Sequence, residues 1–175
     1  MKMPPLNTLK FPIGRFEWID TLSADEIKFI TEEIRNFPTA LERLVQNLDP
    51  KDFKKTYRPG GWQICQLIHH LADSHMQCYI RFKQALTLDT PTIMDYDQDK
   101  WATLADAVNL DVKSSLIILK GIHQRWANLI ESLNPKQLER QYYHPSRDKN
   151  YSLATVLALY AWHGKHHIAH IHNTL

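Results

Sequence analysis

The chain has 175 residues, 43% hydrophobic and 23% charged, and 21 basic against 19 acidic side chains leave a formal net charge of +2. That length and composition suit one ordinary globular domain over residues 1–175, with a core large enough to hold without staples. They exclude a low-complexity linker protein, and the near balance of charge argues against nucleic acid as a partner.

The first twenty residues hold Pro4, Pro5 and Pro12 and are expected to run extended along the surface as an N-terminal arm. Ser23 with Glu26 makes a capping box, and Ile27, Ile30 and Ile34 follow at helical spacing. Pro38 interrupts or restarts this helix, after which Leu41, Leu44, Val45 and Leu48 continue the period. Pro59-Gly60-Gly61 is a loop leading into a long helix from about Gln63 to Leu86; Thr90-Pro91 breaks it, and Tyr96 to Leu104 predicts a short helix. A third long pattern runs from about Asp111 to Leu133, burying Leu116, Leu119, Ile122, Trp126, Leu129 and Ile130. Asn134-Pro135 is a cap followed by proline in the first turn of a short helix, and Ser152 caps the last helix. Sustained period-two alternation is absent, so no sheet of any size is expected. Four principal helices predict an all-α bundle.

Cys65 and Cys78 fall on one predicted helix, about 20 Å apart at 1.5 Å rise per residue, too far to pair. They read as reduced buried thiols, which suits the cytoplasm. No segment combines a basic start with an apolar signal core, and no apolar run approaches the roughly 20 residues of a membrane span.

The chemistry concentrates in histidine. The last thirteen residues hold half of the chain's ten histidines. On the last helix Leu153, Val156, Leu157, Tyr160, His163, Gly164, His167 and Ile171 follow one another at helical steps, so His163 and His167 continue the core-facing stripe. They are also four residues apart, the spacing that lets two imidazoles on successive turns reach one ion. His166 and His170 share that spacing on another sector, as outer groups or as exposed ones, and His172 sits near a frayed end. In the earlier helix Gln63, Gln66, His70, Asp73, Gln77 and Arg81 form a polar track, with His69 and His75 off it. The track is either a solvated face or the wall of a polar cavity that supplies His70 as a third ligand. Inward histidines need partners for their ring nitrogens, from hydrogen bonds or from a metal. Three neutral nitrogens on one ion would leave a fourth position open, as in catalytic zinc sites.

Gly60-Gly61-Trp62, the run Leu67 to Ser74 around His70, Tyr79 to Lys83, Tyr143-His144-Pro145, and Tyr160 to Ile171 together resemble the DinB-like superfamily, specifically its YfiT-type metal-dependent hydrolases. The segments occur in the family's order across most of the chain. The resemblance implies an up-down-down-up four-helix bundle holding one divalent metal, zinc or nickel, per chain. Carried over by motif, the ligands are His70, His163 and His167, which puts His70 on a cavity wall. Many superfamily members have His-Arg-Gly-Gln at the last ligand, whereas this chain has His167-Ile168-Ala169-His170.

The activity implied is hydrolysis of a small electrophilic substrate by activated water. The alternatives are S-transfer from a low-molecular-weight thiol cosubstrate, as in bacillithiol-transferase-like members, and a non-catalytic metal-binding bundle. No glutamate follows either C-terminal ligand in the His-Glu-x-x-His manner, so Asp73, one turn after His70, is the candidate catalytic helper, with His166 or His170 beside it. Arg81, Tyr143 and His144 are candidates for the mouth of the site. A homodimer is implied by the resemblance and by large apolar residues in excess of what four helices need to bury, such as Trp101 and Trp162.

Overall fold

Each long helix but one begins on a side-chain cap. In the computed structural model, which describes residues 5–175, α2 (Ala24–Val45) starts on Ser23, whose hydroxyl accepts from the Glu26 amide while Glu26 reaches back to Ser23 N–H. Gln63 and Gln66 make the same reciprocal pair at the start of α3 (Ile64–Thr87), and Ser152 caps α7 (Leu153–Thr174) through the Thr155 amide. α5 (Lys113–Glu131) has no side-chain cap bond at Val112. Short helices α4 (Gln98–Trp101) and α6 (Pro135–Leu138) sit in the connections, the first within the predicted Tyr96–Leu104 stretch and the second on its Asn134 cap.

Cross-helix contacts give the directions. Arg35 meets Asn128 and Glu42 meets Lys120, so α2 and α5 are antiparallel. His69 meets Ser115 and His75 meets His123, so α3 and α5 are parallel. His70 meets His163 and Ser74 meets Tyr160, so α3 and α7 are antiparallel. The bundle is therefore up-down-down-up, the expected all-α architecture.

Two expectations are corrected. The arm is not extended throughout, because Leu6–Lys10 forms a single helical turn, α1. Pro5 occupies its N-cap at φ −54°, where a proline neither loses a needed N–H nor clashes, so it starts the turn it was expected to prevent; Pro4 lies outside the described residues. A two-stranded hairpin also exists: β1 (Gln141–His144) pairs antiparallel with β2 (Lys149–Ser152), placing Tyr142 opposite Tyr151. Four residues per strand are too few to display alternation, yet Tyr142 and Tyr151 are buried side by side, and Asp148 turns the chain at φ +46°.

Pro38 lies inside α2 without ending it. It has no N–H for the carbonyl of Ile34 four residues back, and that carbonyl instead lies 2.6 Å from His123 Nδ1 on α5. Around this point the interior divides. One apolar cluster contains Ile34, Phe82, Trp126 and Leu157, the other Leu41, Leu71, Leu119 and Ile171. On α3, α5 and α7 the residues between the two clusters include His75, His123 and His163, so a layer of imidazoles crosses the core. Among the described residues no helix is long and apolar enough to cross a membrane.

Candidate metal centre

His70, His163 and His167 each offer one nitrogen, and those atoms all lie within 4.8 Å of one another. Antiparallel packing of α3 on α7 brings the three together. Close approach of α7 to α2 depends on Gly164, where a Cβ would lie 2.8 Å from Phe37 Cδ2. The three rings meet edge to face, at centroid distances of 5.4, 5.2 and 4.6 Å, and Trp62 packs at 4.8 Å from His70.

A divalent metal is the group the donor set suits. His70 Nε2 and His163 Nε2 are 3.4 Å apart. That is long for an N–H···N bond, yet close to the edge of roughly 3.3 Å expected for two nitrogens about 2.0–2.1 Å from a tetrahedral ion. Burial pushes the His70 imidazole down to about 4 and holds His163 and His167 well below the usual histidine range, neighbouring imidazoles adding to the effect for the last two. All three are therefore neutral near pH 7, each with a lone pair to give. No carboxylate or cysteine belongs to the group.

More imidazoles surround these than helical phase suggested. His163 Nδ1 is 3.1 Å from His75 Nε2, and His75 Nδ1 is 2.8 Å from His123 Nε2. His167 Nδ1 is 3.3 Å from His170 Nδ1, and His170 Nε2 is 3.0 Å from the Leu9 carbonyl oxygen and 3.2 Å from that of Lys10. His166 is buried as well, stacked on Trp162 at 4.4 Å, with no hydrogen-bond partner for Nδ1 among the described residues. His166, His167 and His170 form a second group within 4.8 Å, sharing His167 with the first. His172 is exposed. A signal for His75 and His123 was present in the sequence: Leu71-His75-Cys78-Phe82 and Leu119-His123-Trp126-Ile130 are apolar stripes at helical steps, with a histidine in each.

His163 and Tyr160 form part of the wall of a cavity of about 490 Å³, which Ser74, Arg81, Tyr96 and His144 also line. Arg81 is buried, donates to the Met94 carbonyl at 2.8 Å, and among the described residues finds no partner for its Nε. Asp95 lies 3.9 Å from Arg81 and 3.7 Å from His144. Tyr143 is used otherwise, its hydroxyl donating to Asp148 across the hairpin turn. Asp73 lines a separate cavity of about 160 Å³ with His69, Asp106 and Asp111, and among the described residues no hydrogen bond joins it to the triad. Burial, with Asp106 nearby, raises its carboxyl. Both cysteines are buried, and burial pushes the Cys78 thiol well up, so neither supplies a ready thiolate.

Comparison with known proteins agrees with this architecture. The profile of the DinB superfamily matches residues 33–171. A protein of Bacillus mycoides (strain KBAB4) named "putative metal-dependent hydrolase" is 44% identical over 166 residues, covering 95% of each chain. One of the same name from Bacillus cereus (strain AH820) is 43% identical over the same span. Among solved structures, YfiT from Bacillus subtilis superposes with a TM-score of 0.92 at 38% identity, covering 94% of both chains; it is described as "a probable metal-dependent hydrolase with an unusual four-helix bundle topology".

Proposed function

The chain belongs to the DinB superfamily, and from that membership we propose that it is a metal-dependent hydrolase whose His70, His163 and His167 hold one zinc or nickel ion. The observation that carries this is the convergence of three neutral imidazoles, without a carboxylate or thiolate, beside a cavity of about 490 Å³. When bound, such an ion would keep its full charge and supply the Lewis acidity that makes water nucleophilic near neutral pH. The protein's own groups do the rest. Burial keeps the Tyr160 hydroxyl protonated; it donates to the Ser74 carbonyl at 3.3 Å, and turned from there into the cavity beside His163 it becomes a donor to an oxygen of the substrate. Arg81 and His144 hold the polar end of a small electrophilic substrate further along the cavity. Asp73, in the lining of its own cavity, is left out of the reaction.

The decisive experiment joins metal analysis to a substrate screen. Protein purified without metal-affinity resin should carry near one equivalent of zinc or nickel and turn over a member of an ester and amide panel, while the apo protein should not. Turnover that appears only with an added small thiol would select S-transfer at the same site, the thiol coming from outside because Cys65 and Cys78 are buried. His70→Ala should abolish turnover with helical content retained; wild-type rates in that variant would remove the metal from the chemistry. Full metal occupancy in His163→Ala would overturn the ligand assignment.

We extend the proposal to a homodimer of single-domain chains on the family resemblance; the exposed Phe29 and Ile117 lie toward opposite ends of the α2–α5 pair and make no single apolar patch. Trp101 and Trp162 no longer support it, because they pack on Tyr96 and His166 within the chain. A monomeric mass by solution scattering at tens of micromolar would refute the dimer.

A further inference from the structure

A neutral imidazole has one N–H and one bare nitrogen, and only the bare nitrogen can take a metal. Which one is bare depends on the hydrogen bond made by the other. Two chains of histidines lead away from the candidate centre, and each ends on a backbone carbonyl, a group that only accepts.

In the longer chain the Ile34 carbonyl accepts from His123 Nδ1 at 2.6 Å, so His123 Nε2 is bare. That nitrogen must accept from His75 Nδ1 at 2.8 Å, leaving His75 Nε2 bare. His75 Nε2 in turn accepts from His163 Nδ1 at 3.1 Å. His163 Nε2 is left bare, and it is the atom 3.4 Å from His70 Nε2. In the shorter chain His170 Nε2 donates to the carbonyls of Leu9 and Lys10, so His170 Nδ1 is bare and accepts from His167 Nδ1 at 3.3 Å. His167 Nε2 is left bare in the same way. Each step needs a neutral ring, and His75, His123 and His170 are all buried, where a charged ring would lose its hydration.

The longer chain is anchored in α2. Pro38 withholds the N–H that would normally occupy the Ile34 carbonyl, freeing it for His123. Phe37, the next residue back, packs 5.1 Å from both the His75 and the His123 rings and holds them in place.

We propose that His75, His123 and His170 are positioning residues that lock His163 and His167 into the tautomer with Nε2 bare, and that the Ile34 carbonyl freed by Pro38 sets the sense of the longer chain. The inference rests on the metal-site reading above.

Histidine tautomers can be read directly in the apo full chain by long-range ¹H–¹⁵N correlation near neutral pH, with no variant required. His75, His123, His163 and His167 should all show a protonated Nδ1 and a bare Nε2. His170 should show the opposite. So should His69, away from the centre, whose Nε2 faces the Asn109 carbonyl at 2.9 Å and which serves as an internal reference. A protonated Nε2 on His163 or His167 overturns the proposal.

Zinc affinity, measured by chelator competition, supplies the second readout. His123→Phe keeps the ring volume and touches no ligand, and should weaken zinc binding by about 10–100-fold while mixing the His163 tautomers. His69→Phe, at another buried ring that leads nowhere, should leave zinc affinity unchanged. Affinity of His123→Phe within threefold of wild type, or an equal loss in both variants, would overturn the proposal; if His123→Phe does not fold, the wild-type spectrum still decides. Wild-type protein that binds no zinc or nickel at all would sink the metal-site reading and this inference with it, an outcome that elemental analysis tells apart from a wrong tautomer.

Discussion

His69 and His123 are both buried histidines on the facing helices α3 and α5, and each has one ring nitrogen against a backbone carbonyl. They differ in where the other nitrogen leads. His69 Nδ1 stops 2.8 Å away at Ser115 Oγ, a hydroxyl on the neighbouring helix, beside the small cavity that holds Asp73. His123 Nε2 leads through His75 to His163 and so to the three-nitrogen group. Burial and satisfied hydrogen bonds therefore do not separate a structural histidine from one that serves a site. The second bond does, because it either closes locally or transmits an orientation.

Substitutions test this difference between the two histidines. The largest effect is expected at the end of the shorter chain: His167→Ala should abolish stoichiometric zinc or nickel binding while circular dichroism stays near wild type, because both apolar clusters survive without it. Retained stoichiometric metal would move the site elsewhere. Gly164→Ala comes next. Its Cβ would press on the Phe37 ring at 2.8 Å, and that ring is backed by His75 and His123, so it cannot retreat freely. Urea denaturation should show a loss of about 1–3 kcal/mol, and an unchanged midpoint would mean that α2 and α7 are looser than they look.

Acid should act more gradually. His123 is pushed from its ordinary 6.5 down to about 4 in the folded chain by burial, with the Ile34 carbonyl opposing, and it faces His75 from α3 and Phe37 from α2. Between those values the unfolded chain binds the extra proton, so this contribution to stability is complete above about pH 6.5 and is lost as pH falls toward 4. Urea midpoints of apo protein should drop across that window, and replacing His123 by Phe should flatten the slope; equal slopes would mean that other groups carry the acid sensitivity. The smallest effect is expected in the comparison region. Ser115→Ala removes the hydroxyl partner of His69 and should cost about 1 kcal/mol with no change in zinc affinity. A loss of zinc affinity there would erase the distinction between the two histidines.

Local signals were legible wherever the chain's own neighbours decide the outcome. The Ser23–Glu26 box, the Asn134-Pro135 start and the Ser152 cap appear where the sequence puts them, because a cap is made by residues three apart. Helical phase put His163 and His167 on the inner stripe, and His70 joined them only through the resemblance, since a polar track reads equally well as a wet face. The hairpin was illegible because its four-residue strands are specified by Tyr142 and Tyr151 packing together and by the Asp148 turn, not by a long alternating pattern.

What the sequence determined by itself is the bundle: four amphipathic periods, their caps, and an imidazole-bearing stripe on the last helix, all set by contacts within a turn or two of chain. The use made of the remaining histidines follows only once the helices are packed. His75 and His123 lie on stripes that read as plain core, and Pro38 reads as a helix breaker. Their roles depend on a freed carbonyl on α2 meeting a ring on α5, and that ring meeting another on α3, across sequence separations of 89 and 48 residues. No local pattern encodes such a meeting, because hydrogen-bond direction is settled only when both partners are in place.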